Sequence, residues 1–191
     1  MESVEVDLRE ITRGTVTAPA GCGKTQLIAH ALAGHRSSKP ILVLTHTNAG
    51  VAALRSRLDR AGVPTNVYRL STIDGWAIRL ISNFPGRSAH DPEILQLTTP
   101  ARDYPAIRDA AWKLLQAGHV SEVLKASYAH LIVDEYQDCS LPQHTIVYFL
   151  SLILPTCVLG DPMQAIFGFR GNALADWNQQ VCAHFPVVAE L

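Results

Sequence analysis

The chain has 191 residues, 48% of them apolar and 17% charged, with a formal net charge of −1. That length suits one well-packed domain, or one domain with a small subdomain, and the composition excludes a disordered chain. A near-neutral charge excludes a global basic field, so any nucleic-acid contact must rest on a local surface.

In chain order, the opening "MESVEVDLRE" alternates acids with apolar residues and lacks the pattern of a signal peptide. Apolar or β-branched runs then recur as "GTVTA", "ILVLTHT", "VYRLST", "HLIVDE", "TCVLGD" and "VVAEL". Between them lie "KTQLIAHALAGH", "NAGVAALRSRLDRAG" and "PQHTIVYFLSLIL", whose apolar spacing suits helices. Strands alternating with helices predict an α/β fold: a parallel sheet with helices on both faces. Residues 84–104 are rich in Pro, Gly and polar residues, and "PAIRDAAWKLLQAG" and "SEVLKASYAH" follow as helical patterns. We read the whole chain as a single domain with 84–127 as a small, mostly helical inserted subdomain. The most apolar stretch, "TIVYFLSLILPTCVLG", contains Pro155 and is too short to span a bilayer, so no membrane partner is expected. Cys22, Cys139, Cys157 and Cys182 are scattered without a CxxC pair, which reads as reduced thiols of a cytoplasmic protein.

Three strand ends carry chemistry. "APAGCGKT", from Ala18 through Pro19, Ala20, Gly21, Cys22, Gly23 and Lys24 to Thr25, has the GxxxxGK[ST] form with Ala first. Small residues let backbone N–H groups turn toward phosphate oxygens, and the following helix adds its positive N-terminal end, with Gln26 next in line. Lys24 then suits the β- and γ-phosphates and the Thr25 hydroxyl suits Mg²⁺. "HLIVDEYQD" places Asp134 and Glu135 at the end of an apolar strand, where an Asp can hold Mg²⁺ and a Glu can polarise water as general base; an exposed acidic loop is the plainer alternative. "VLGDPMQAIFGFRG" again follows a strand; on its own Gln164 reads as a surface polar residue and Phe167 and Phe169 as core aromatics.

Taken in order, "APAGCGKT", "DEYQD" and "GDPMQAIFGFRG" resemble the first RecA-like domain of the UvrD/Rep/PcrA helicases of superfamily 1. "LTHTNAGVAALRSRL" and "STIDGWA" are similar to two further segments of that family, and the resemblance runs over residues 14–191. It implies a P-loop NTPase in which Lys24 and Thr25 bind ATP–Mg²⁺, Asp134 holds the metal, Glu135 activates water and Gln164 senses the γ-phosphate. It further implies single-stranded DNA as partner, with Phe169 stacking on a base, Phe167 beside it, Thr47 and Asn48 on the backbone, Thr72 nearby and Arg170 on a phosphate. For Arg55 and Arg57 a solvated helix face is an equal reading.

Departures from the family are visible. Its adenine-reading glutamine has no counterpart before the loop, the first glutamine of the chain being Gln26, so the base is left unassigned. Asp74 and Gly75 stand where the family usually has His and Ser. "FPVVAEL" is similar to the strand that leads toward an arginine-bearing segment of a second RecA-like domain. Arginine fingers are worth about 10³–10⁵ in kcat. The expectation is therefore nucleotide and DNA binding, with at most feeble hydrolysis until a second domain is supplied in cis or trans. A stand-alone nucleotide-dependent DNA-binding or regulatory module is the alternative. A small-molecule kinase would share the phosphate loop but leaves "DEYQD" and "GDPMQ" without a role.

Overall fold

Six short apolar runs pair edge to edge as parallel strands, in the order β3-β2-β4-β5-β1-β6. They are β1 (Arg13–Thr17), β2 (Ile41–Thr45), β3 (Tyr68–Thr72), β4 (His130–Val133), β5 (Thr156–Gly160) and β6 (Val187–Glu190). The computed structural model that provides this architecture describes residues 6–19, 21–164 and 173–191. Strands β2, β4 and β5 are buried at every position, which is what a parallel sheet covered on both faces requires.

Helices α1 (Lys24–Ala33) and α2 (Asn48–Arg60) close one apolar cluster with Val16, Ile41, Val43, Ile132 and Leu159 of the sheet. The other cluster takes the alternate sheet residues Leu42, Leu44, Leu131, Val133 and Val158. Against them pack α3 (Ile73–Asn83), α5 (Pro100–Gln116) and α7 (Leu141–Ser151). The period of two along each strand thus splits its side chains between two helical layers.

Residues 84–127 hold a one-turn helix α4 (Pro85–Ser88), a 3₁₀ turn (Pro92–Gln96), α5 and α6 (Ser121–Ser127). Here α5 starts five residues before the predicted pattern, because Pro100 occupies its first turn and the Asp103 carboxylate accepts the Thr99 N–H at 2.8 Å. α6 stops at Ser127, since His130 already belongs to β4. α3, which the sequence pattern left unassigned, buries Ile73, Trp76, Ala77, Leu80 and Ile81 on one stripe. Ile107, Ala111 and Leu114 place α5 in the same core as α3 and α7.

A polar tie holds these three helices together. Asp74 on α3 accepts both Nε (2.6 Å) and Nη2 (2.7 Å) of Arg108 on α5, and Nε2 of Gln143 on α7 at 3.2 Å. Both charged side chains are largely buried. Past α7, a second polar chain runs from the Tyr136 hydroxyl to Nδ1 of His144 (2.8 Å), and from Nε2 of His144 to Nδ1 of His184 (2.9 Å). Burial, helped by the nearby His184 charge, pushes the His144 pKa from 6.5 down to about 4. Burial does the same at His130, again to about 4.

Two predictions follow from these ties. Arg108→Met strands the Asp74 carboxylate, and urea unfolding is expected to show a loss of about 3 kcal/mol; an unchanged midpoint would contradict the tie. Between pH 6.5 and 4 the unfolded chain takes up a proton at His144 that the native chain refuses, so stability present at pH 7 is lost as the pH falls. From pH 7 to pH 5 this one ring costs about 2 kcal/mol. The loss between the two pH values, to which His130 also contributes, should be smaller in His144→Phe by that increment.

Candidate nucleotide site

The sheet order puts β4, β5 and β1 next to one another, so the loops leaving their carboxyl ends meet. After β1 the chain enters the phosphate loop. Gly21 (φ 80°) and Gly23 (φ 85°) take left-handed conformations that a Cβ would oppose, and a Cβ on either would meet nothing within 4 Å. The loop is therefore both tightly turned and open on its inner side. Lys24 is buried and its Nζ donates to the Ala18 carbonyl at 2.9 Å. No side chain caps the start of α1, which leaves first-turn N–H groups for an anion. Among the predicted loop residues, Pro19, Cys22 and Gln26 are exposed, and Ala20 lies outside the described residues.

A cleft of about 400 Å³ is lined by Gly21, Gly23, Lys24, Thr25, Gln26, Arg57, Glu135 and Gln164. Sequence reasoning gave Arg57 an equal chance of being a solvated face; here its Nη1 donates to the Thr25 hydroxyl at 2.7 Å. The partners are 32 residues apart and meet only because α1 packs on α2, so no local spacing could have announced the contact. Its one sequence signal is its place on α2 beside the buried Leu54 and Leu58. A second cavity of about 410 Å³ adjoins the first and is lined by Thr25, Gln26, Ala29, Arg57, Arg60 and Ala61.

At the end of β4, Asp134 is buried and Glu135 half-buried. Burial, then the neighbouring Glu135 charge, lifts the Asp134 pKa to about 6. A carboxylate so placed is ionised at neutral pH against its surroundings, and a bound cation would relieve it. Asp134 and the Thr25 hydroxyl are oxygen donors of the kind Mg²⁺ takes, and the Thr25 hydroxyl is engaged here by Arg57. Asp138 turns away toward the end of β2, with Oδ2 3.8 Å from His46 Nε2.

The remaining predicted residues lie along the same sheet edge. Thr45 pairs with Thr72 in register, so the chain leaving β2 and the end of β3 are neighbours. Thr47 and Thr72 each cap a helix, their hydroxyl oxygens accepting from Gly50 N (3.0 Å) and Gly75 N (2.9 Å). Asn48 is exposed at the first position of α2. Phe167, Phe169 and Arg170 lie outside the described residues. Asp74, at the place of the family's His, points into the Arg108 tie.

A parallel sheet with a phosphate loop and acidic strand ends at its carboxyl edge defines a RecA-like nucleotide-binding α/β domain. Residues 96–180 match the family model of the UvrD/REP helicase N-terminal domain, which together with the fold supports a UvrD-like helicase first domain. The matched segment contains both acidic strand ends, whereas the phosphate loop lies upstream of it. A comparison with curated proteins gives no match. No helix of the described residues is long and apolar enough to cross a membrane.

Gly160, the last residue of β5, leaves room behind the cleft: a Cβ there would meet Trp177 at 2.6 Å and Gln137 Oε1 at 2.9 Å. Gly160→Ala is expected to cost about 1–3 kcal/mol in urea unfolding, because the Trp177 ring and the Gln137 amide must both shift to admit the methyl group. Wild-type stability in that variant would show that the strand end yields.

Proposed function

We propose that the cleft binds ATP with Mg²⁺ and that the same sheet edge carries single-stranded DNA. The observation that supports this most is the convergence of Lys24, Thr25, Glu135 and Gln164, from three separate segments, on one cleft. Lys24 and the start of α1 would hold the β- and γ-phosphates, Thr25 and Asp134 the metal. Mg²⁺, when bound, neutralises phosphate charge. Glu135 is placed to take a proton from the attacking water, and Gln164 to register the γ-phosphate.

DNA would cross the ends of β2 and β3. The Thr47 and Thr72 oxygens accept within their caps, yet each hydroxyl keeps a hydrogen to donate to a backbone phosphate. Asn48 is exposed beside them, and the family resemblance also assigns DNA contacts to Phe167, Phe169 and Arg170, which lie outside the described residues. The cations that line the cleft among the described residues are Lys24 and Arg57. Fast hydrolysis and unwinding would need an arginine facing the γ-phosphate from a second RecA-like domain, in cis or in trans.

Titration of the chain with a fluorescent ATP analogue and Mg²⁺ tests the nucleotide reading. Lys24→Ala is expected to weaken binding about 10- to 100-fold, the worth of a charge-assisted hydrogen bond to phosphate. Equal affinity in the two proteins would overturn it.

A further inference from the structure

Glu135 is not held by its own backbone alone. It sits at φ 52°, ψ 46°, a left-handed conformation uncommon for a residue with a Cβ, which persists only where its surroundings determine it. Its Oε2 accepts from Nε2 of Gln137 at 2.8 Å. The other end of the same carboxamide, Gln137 Oε1, accepts the backbone N–H of Asp161 at 3.1 Å. Asp161 in turn accepts from Gln164 Nε2 at 2.8 Å and from the Met163 N–H at 3.0 Å. Gln137 is 4% exposed, so water does not compete for these bonds.

The arrangement is demanding. One buried side chain must donate at the end of β4 and accept at the end of β5. A glutamate has no hydrogen to donate to Glu135, a methionine offers neither contact, and an asparagine is one methylene short. The bare Cα of Gly160 leaves the space that Gln137 Oε1 occupies.

We propose that Gln137 is the positioning residue of Glu135, and that the chain Gln164–Asp161–Gln137–Glu135 links the γ-phosphate end of the cleft to the water-activating carboxylate. This rests on the reading of Glu135 as general base given above. The amide fixes which carboxylate oxygen is engaged and which faces the cleft, as outer-shell partners do for other reacting groups. A shift of Gln164 on meeting a γ-phosphate is passed through Asp161 to the same amide, so nucleotide state and base orientation are coupled.

The test compares the full chain with Gln137→Met, Gln137→Asn and Glu135→Gln. Three quantities are measured: affinity for the fluorescent ATP analogue with Mg²⁺, single-turnover cleavage of ATP with protein in excess, and NMR exchange protection of the Asp161 amide. Gln137→Met is expected to keep its affinity within about twofold while cleavage falls about 10- to 100-fold and Asp161 loses protection. Should that variant unfold, Gln137→Asn carries the same comparison, since it keeps the amide but cannot span both partners. Cleavage within about twofold of wild type, or affinity and cleavage falling together, overturns the proposal by showing a merely structural role. If Glu135→Gln cleaves at the wild-type rate, the base assignment fails and this inference with it; where the chain alone cleaves too slowly to compare, unchanged Asp161 protection in Gln137→Met overturns the positioning. The protection of Asp161 still reports the hydrogen bond in that case, so the two failures are told apart.

Discussion

The parallel pairing of β4 with β5 and of β5 with β1 is the constraint on which the site depends. Parallel strands end at the same edge, so three segments far apart in the chain deliver a lysine, two carboxylates and a glutamine amide to one place. The strands between them are buried at every position and mostly apolar, so charged groups are confined to their ends. The edge is where the backbone leaves the ladder, and there polar side chains find one another and the loop N–H groups. Burial of the strands and polarity of their ends are therefore two sides of one arrangement.

Electrostatics at that edge are deliberately unbalanced. Asp134 and Glu135 are adjacent, and burial raises the first of them to about 6. Such a pair lowers the stability of the native chain at neutral pH, in the opposite sense to the carboxylates that fold proteins by pairing with arginine. Asp74 shows the contrast within the same molecule: two hydrogen bonds from Arg108 and one from Gln143 satisfy it. One acidic residue holds helices together; the other lies buried beside a second carboxylate.

The sheet and the two buried helical layers were legible because their signal is local. Runs such as "ILVLT" and "HLIV" state their burial directly, and the glycines of the phosphate loop state their turn. The strand-end motifs could be read in order for the same reason. What stayed hidden depends on contacts between distant segments. α3 hides its stripe behind a polar start, and the early beginning of α5 follows from Asp103 reaching back to Thr99. Arg57 meets Thr25 across two helices, and Gln137 reads as just another polar residue of "DEYQD" until β5 is laid beside β4.

The Asp74 tie bears on how the chain's history is judged. By its letters alone that position is a mismatch with the family pattern, Asp where the family usually has His. In the folded molecule it is a joint between three helices, held by partners on α5 and α7. Departure from the family pattern at this place thus coincides with a structural role for the side chain. Counting mismatched motif letters would miss a residue that ties three helices together.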